Sequence, residues 1–281
     1  MRKRAYTIWG LALLFTAAVL LAETFLQPRV LLTSLHPSVA EADKTRLRLV
    51  KEVYDLNIII PRERATYAAT YIPRYQMTEQ ADADRIAARF GMAGIPKETE
   101  EAYVYTSAGK SLTVWLHINK LVYEAHTQPT VPQGEALALE GAAPRAVEIV
   151  ESLGLNAAHA RAVAEQTDGG FTIQLITKLG GADNLAFPTT VILDGSGGLL
   201  ALEAYTFAYD RLASCRIVSL KAACAGLPLD FAPGTRIDIK RASLVYRFTD
   251  SILCPAYLFE GEFAGGGVFY QYVDAAVYAG N

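Results

Sequence analysis

Apolar residues recur along this chain with two periods, near 3.6 and near 2, and their alternation predicts its elements. Thr78 to Met92 carries the helical period. Thr78 is the expected N-cap, Glu79, Asp82 and Asp84 fill the first turns, and Gly91 ends the helix. Thr66 to Tyr75 alternates loosely and reads as a strand. So do Glu101–Tyr105, Leu112–Ile118 and Leu121–Ala125. Ser107-Ala108-Gly109-Lys110 is a hairpin turn, and Asn119-Lys120 is a second tight turn or a bulge. A second helix is expected from Pro144 to Leu153-Gly154, with Pro at a first helical position, and a short one from Ala157 to Gln166. Strands follow at Phe171–Leu179, Thr189–Leu193 and Leu199–Tyr209, with Asp194-Gly195-Ser196-Gly197-Gly198 as a turn. Ile217 to Leu227 is a third helix, stopped by Gly226 and Pro228. The strand-like runs Arg236–Phe248, Leu253–Phe263 and Val268–Tyr278 close the chain.

The order is the same three times: one helix, then about three strands. The expected fold class is therefore α+β, built of tandem helix-plus-antiparallel-meander units behind an N-terminal transmembrane helix. Arg2-Lys3-Arg4 forms a short cytoplasmic tail (1–4), and the uncharged run that follows supplies an anchor over 5–26. Leu20 and Ala22 make a poor cleavage site, which favours an uncleaved anchor over a signal peptide. A single-pass cell-membrane protein follows, with its later domains extracytoplasmic. Residues 27–57 read as a stalk helix, capped by Ser38 and Glu41. Residues 58–130 form a first α+β unit, and 142–281 a C-terminal domain of two units. The stretch Gln128 to Gly141, rich in Pro and Gly, holds the linker at 131–141. Within the anchor, Gly10, Ala12, Thr16, Ala18 and Ala22 are the small residues on which a partner helix could pack closely.

Charge and chemistry change this picture little. Net charge is −3, and beyond residue 22 it is −6, because Arg2, Lys3 and Arg4 drop out while all 29 acidic residues remain. No nucleic-acid footprint follows. Cys215, Cys224 and Cys254 form no Cys-x-x-Cys pair; a Cys215–Cys254 bridge in an oxidising compartment competes with the favoured reading of buried small hydrophobes. Asp194 to Gly198 lacks the Lys-Ser/Thr and the helix that a phosphate loop requires, and no Gly-x-Ser-x-Gly elbow exists. His36, His117, His126 and His159 are scattered, so no metal is expected. Asp82 and Asp84, at i and i+2 of a helix, face different sides. The aromatics, among them Tyr67, Tyr71, Tyr75, Trp115, Tyr205, Tyr209, Tyr246, Tyr257, Tyr270 and Tyr272, fall mostly in strands, where sheet packing places them more readily than a stacking groove. No enzyme and no cofactor are expected.

The last third carries a resemblance. Ser219-Leu220-Lys221-Ala222 precedes Ile237-Asp238-Ile239-Lys240-Arg241-Ala242-Ser243-Leu244-Val245-Tyr246, then Cys254-Pro255-Ala256-Tyr257-Leu258-Phe259 and Tyr270-Gln271-Tyr272-Val273-Asp274-Ala275. This pattern resembles the C-terminal domain of the YycH/YycI group of membrane-anchored regulators, with Tyr257 where Trp is common and Asp274 where Asn is common. It also resembles PepSY-type modules. The first resemblance implies a non-enzymatic regulator of a two-component sensor histidine kinase in a Gram-positive type of cell. Its partners would be that kinase and a paralogous membrane-anchored regulator. The second implies a cell-envelope ligand-binding or protease-inhibitory module. A divergent envelope hydrolase is the rival from the enzyme class.

Overall fold

Two mostly antiparallel sheets, of eight and nine strands, account for most of the chain that the computed structural model describes: residues 54–55, 67–125, 137–227, 230–231 and 235–277. In chain order come β1 (Tyr54–Asp55), β2 (Tyr67–Arg74), α1 (Gln80–Arg89), β3 (Lys97–Glu98), β4 (Ala102–Ser107), β5 (Lys110–Trp115) and β6 (Lys120–Ala125). Then follow α2 (Leu139–Ser152), β7 (Arg161–Thr167), β8 (Gly170–Ile176), β9 (Lys178–Leu179), β10 (Ala182–Asn184), β11 (Thr189–Asp194) and β12 (Leu199–Tyr205). The last part holds β13 (Ala208–Ile217), α3 (Leu220–Ala225), β14 (Ile237–Thr249), β15 (Ile252–Phe263), β16 (Val268–Asp274) and β17 (Ala276–Val277).

The first sheet runs β3-β4-β5-β6-β12-β11-β8-β7. One face packs on α1 and α2. Those helices turn small side chains inward, Ala83 and Ala87 from α1, and Ala142, Ala146 and Val150 from α2. Small residues let the helix axes come close to the sheet, so Leu112, Leu121, Ile173, Val191 and Leu202 become fully buried beneath them. Each such side chain contributes on the order of 1.5–3 kcal/mol on leaving water. The second sheet runs β17-β13-β2-β15-β14-β10-β9, with β16 on β15 and β1 parallel to β14. Helix α3 covers one face of it. Ser219 caps α3 by accepting from the Ala222 N–H at 3.1 Å, and Leu220, Ala223 and Cys224 meet Ile237, Ile239, Tyr257 and Phe259. The Tyr257 hydroxyl donates to the Val218 carbonyl at 3.1 Å, which ties the sheet to the turn before α3.

The tandem helix-plus-meander expectation is overturned. The chain weaves between two broad sheets, and consecutive elements do not form separate units. Strands β4–β6 share a sheet with β7, β8, β11 and β12, while β2 lies between β13 and β15 in the other. The reason lies in burial. Ile252 to Phe259 of β15 is buried at every position, so both faces need cover, and one six-residue helix shields only one. The last three strands do pair in order as β14-β15-β16, but inside this larger sheet.

Smaller corrections share one cause, tertiary pairing overriding local pattern. The helix expected over 157–166 is instead a turn at 157–160 followed by strand β7, closed onto β8 through the turn Asp168-Gly169. Pro144 lies inside α2, which begins at Leu139. Thr78 does not cap α1; its N–H donates to the Leu116 carbonyl at 2.9 Å and its hydroxyl to the Trp115 carbonyl at 3.4 Å. Tyr54–Asp55, expected at the end of the stalk helix, is a strand paired with Ile237–Asp238. The tail, the anchor over 5–26, its residues Gly10, Ala12, Thr16, Ala18 and Ala22, and the Ser38/Glu41 capping box lie outside the described residues. Among the described residues no helix is long and apolar enough to cross a membrane. Cys215, Cys224 and Cys254 are buried thiols, and Cys215 Sγ contacts the Ala68 carbonyl at 3.4 Å. Burial pushes that thiol up to about 11.

The Asp194–Gly198 turn joins β11 to β12, and its carboxylate organises it. Asp194 Oδ1 accepts from Ser196 Oγ at 2.7 Å and from the Ser196 and Gly198 N–H groups at 2.8 Å each. Burial would raise this carboxyl, but these bonds outweigh it and hold the group below the ordinary carboxylate range. Its stabilising effect is therefore complete above an unfolded value of about 3.9 and is lost as pH falls through the lower folded value. Asp194→Ala is expected to cost about 1–2 kcal/mol near neutral pH. The gap from wild type should narrow in acid, as urea unfolding at the two conditions would record.

Candidate functional site

Two features of the fold stand out for recognition: an aromatic joint between the sheets and the uncovered face of the first sheet. The joint forms where β12 continues into β13 through Thr206 and Phe207 alone. Tyr205, Phe207 and Tyr209 alternate along this extended stretch, so their rings gather on one side. Phe207, 8% exposed, meets Phe187 at 4.9 Å, Tyr209 at 5.3 Å, Tyr75 at 5.4 Å and Tyr205 at 5.6 Å between ring centroids. Phe187 adds Phe248 at 5.0 Å. These distances and their mostly edge-on angles are the favoured aromatic geometry.

Polar groups frame the joint. The fully buried Asn184 donates to the Tyr209 hydroxyl at 2.8 Å, and burial pushes that phenol up to about 12. Asn119 exchanges bonds with the Gln76 backbone at 2.9 and 3.0 Å, and its carbonyl accepts from the Thr206 N–H at 2.8 Å. Arg161 of the first sheet binds Asp183 of the second at 2.6 Å. Arg74 and Asp210 pair across β2 and β13 at 2.8 Å. The two sheets are thus held by rings in the middle and by the Arg161 and Asn119 bonds beside them, while Arg74–Asp210 and Asn184–Tyr209 brace the second sheet itself.

The uncovered face lies opposite α1 and α2. Strand register aligns Val104, Thr113, Val122, Glu203, Thr190, Gln174 and Val163 in one row across seven strands. Among the described residues no helix lies over this row. It reaches the joint at Tyr205. There Lys120 Nζ pairs with Glu203 at 2.8 Å and sits 5.7 Å above the Tyr205 ring. The hydrogen bond to Glu203 raises the Lys120 ammonium above its ordinary value, so this charge persists at any physiological pH.

The residues weighed for chemistry from the sequence go elsewhere. Asp84 accepts from the Tyr105 hydroxyl at 2.6 Å and Asp82 pairs with Arg85 at 2.9 Å, so the two carboxylates serve separate partners. Among the described residues no three His, Cys, Asp or Glu side chains come together as a metal site. Sequence reading grouped Tyr75, Tyr205 and Tyr209 with ordinary strand aromatics and singled out neither Phe187, Phe207 nor Phe248. The usable signal was Tyr205-x-Phe207-x-Tyr209, three rings at strand spacing.

Fold and face together define the class: a strand-dominated protein of two mostly antiparallel sheets, with three helices among the described residues and a broad open sheet surface. No family model and no curated protein matches the chain. Among solved structures it is similar to the Bacillus megaterium YpeB C-terminal domain, with a TM-score of 0.49 and 9% identity over 72% of this chain and 95% of that one. A likeness this faint carries no argument about function, and the YycH/YycI resemblance rests on the residues quoted above.

Proposed function

We propose that this chain is a membrane-anchored, extracytoplasmic, non-enzymatic regulator of a two-component sensor histidine kinase, of the YycH/YycI type. The observation that carries the reading is the open face of the first sheet. It offers a row seven residues wide, Val104 to Val163, in which three valines are interspersed with Thr113, Glu203, Thr190 and Gln174. A flat mixture of this kind suits a protein partner better than a small molecule, which needs a concave site. The C-terminal pattern from Ser219 to Ala275 and the uncharged run behind Arg2-Lys3-Arg4 support the same reading. In this proposal the kinase's extracytoplasmic part occupies the face. Its membrane helices pack on Gly10, Ala12, Thr16, Ala18 and Ala22, and a paralogous regulator completes the assembly.

The test uses the full chain in its own cell. Deletion should change the phosphorylation of one response regulator, and the wild-type chain should restore it. Val122→Arg and Thr190→Arg, which place charge at the centre of the face without touching the core, should restore it at least about tenfold less well. Unchanged phosphorylation of every response regulator on deletion would refute the proposal. Full rescue by both arginine variants would remove the face from it.

A further inference from the structure

The two sheets treat their edges unequally. At one end of the first sheet, β3 is only two residues long, carries Lys97 and follows Pro96, all devices that stop strand addition. Strands β9 and β17 end the path of the second sheet at two residues each. At the other end of the first sheet stands β7, seven residues without Pro or Lys. Among the described residues nothing pairs with its outer side.

The phase of β7 is set by its turn. A two-residue connection makes Thr167 and Gly170 a hydrogen-bonded pair. With an unbroken register, Glu165, Val163 and Arg161 also bond to β8. Ala162, Ala164 and Gln166 therefore turn their N–H and C=O groups to the bare side. Ala162 and Ala164 side chains lie toward the α2 core, whereas Arg161, Val163 and Glu165 lie on the open face, with Val163 43% exposed.

We infer that β7 pairs antiparallel with β7 of a second copy of this chain, about a two-fold axis at Val163. That register sets Ala162 against Ala164 of the copy as hydrogen-bonded pairs, twice by symmetry. Val163 meets its own counterpart at the closer, non-bonded spacing. Arg161 then faces Glu165 of the copy, again twice, so charge is complementary on both sides of the aliphatic centre. Arg161 contacts Asp183 through Nε, and the rest of its guanidinium fork remains for a second carboxylate. Strand β16 is equally long, but its outward row of Val268, Tyr270, Tyr272 and Asp274 holds one sign of charge and has no such self-match. The result is a first sheet continuous through both copies, with one open face spanning them.

The test takes the full chain in detergent. Wild type should show a concentration-dependent dimer by sedimentation. Glu165→Arg, at an exposed position, opposes like charges twice and should weaken the dimer by about tenfold. Arg161→Glu mixed with Glu165→Arg should recover the pairing as a heterodimer. Val163→Cys should form a disulfide-linked dimer under mild oxidation, while Gln174→Cys, one strand inward, should not. A wild-type monomer at all concentrations would overturn the inference. So would a dimer that withstands Glu165→Arg and fails to cross-link through Val163→Cys. Circular dichroism of each variant separates lost pairing from lost folding. The dimer needs no kinase, so its failure would leave the proposed function standing.

Discussion

Phe207→Ala should lower the unfolding free energy by about 3–5 kcal/mol, among the largest single losses this fold can show. The side chain is 8% exposed and contacts four other rings, from the residue after β2, the β10–β11 connection, β12 and β13. Truncation removes its own transfer free energy and leaves a cavity walled by rings that cannot collapse inward, because strand backbone and the Asn184 bond hold them. Phe207→Leu keeps most of the volume and should lose less than half as much, since the edge-on contacts are worth about 0.5–1.5 kcal/mol. Urea unfolding monitored by circular dichroism measures both. A loss near 1 kcal/mol for the alanine variant would mean that the rings merely lie together and do not hold the sheets.

Gly261→Ala should be nearly as damaging, for the opposite reason. Gly261 stands opposite Ile239 where the β14–β15 register shifts between Ile239 and Arg241. At that irregularity the two backbones come so close that a methyl group at Gly261 would collide with the Asp238 carbonyl and reach within 2.9 Å of Ile239 Cα. Neither obstacle is a flexible side chain, so the strands must part. Overpacking of this kind costs about 3 kcal/mol. The pairing on either side, Asp238 with Glu262 and Arg241 with Glu260, should loosen with it. Amide exchange of residues 237–242 is the direct readout. Protection equal to wild type there would contradict the steric argument.

Sequence reading recovered local features well and long-range ones poorly. Ser107-Ala108-Gly109-Lys110 could be read because Gly109 takes φ 77°, a conformation that glycine adopts at no steric cost. Asp194 to Gly198 was equally plain, since an acidic residue followed by glycines has few other uses. The end of helix α3 was legible at Gly226, but its start was not: Ile217, expected inside the helix, ends β13, and Ser219 is the cap. Strand β7 was misread because Ala, Glu and Gln favour helix locally, although Asp168-Gly169 after it was a hairpin signal that should have prevailed. The grouping of strands was not legible at all. No local pattern says that Tyr71 will meet Leu253, or that β6 will meet β12. Those pairings follow from which apolar faces fit together in three dimensions. The joint fared in the same way: its rings are separated by more than a hundred residues from Tyr75 to Phe248, and even the local 205–209 triplet says nothing of the rings it meets.

The placement of β2 between β13 and β15 bears on how the protein is made. Arg74 waits for Asp210, 136 positions later, and the Ala69 carbonyl waits for the Tyr246 hydroxyl, 177 positions later. A ribosome delivers residues in order, so β2 emerges with both edges bare and stays so until nearly the whole polypeptide exists. Distant contacts of this kind slow folding and leave the nascent chain sticky meanwhile. Until then each bare edge of β2 is open to the wrong strand, its own chain's or another's. Any gene fragment ending before residue 208 removes both partners of β2 and yields a protein with no native way to finish its second sheet.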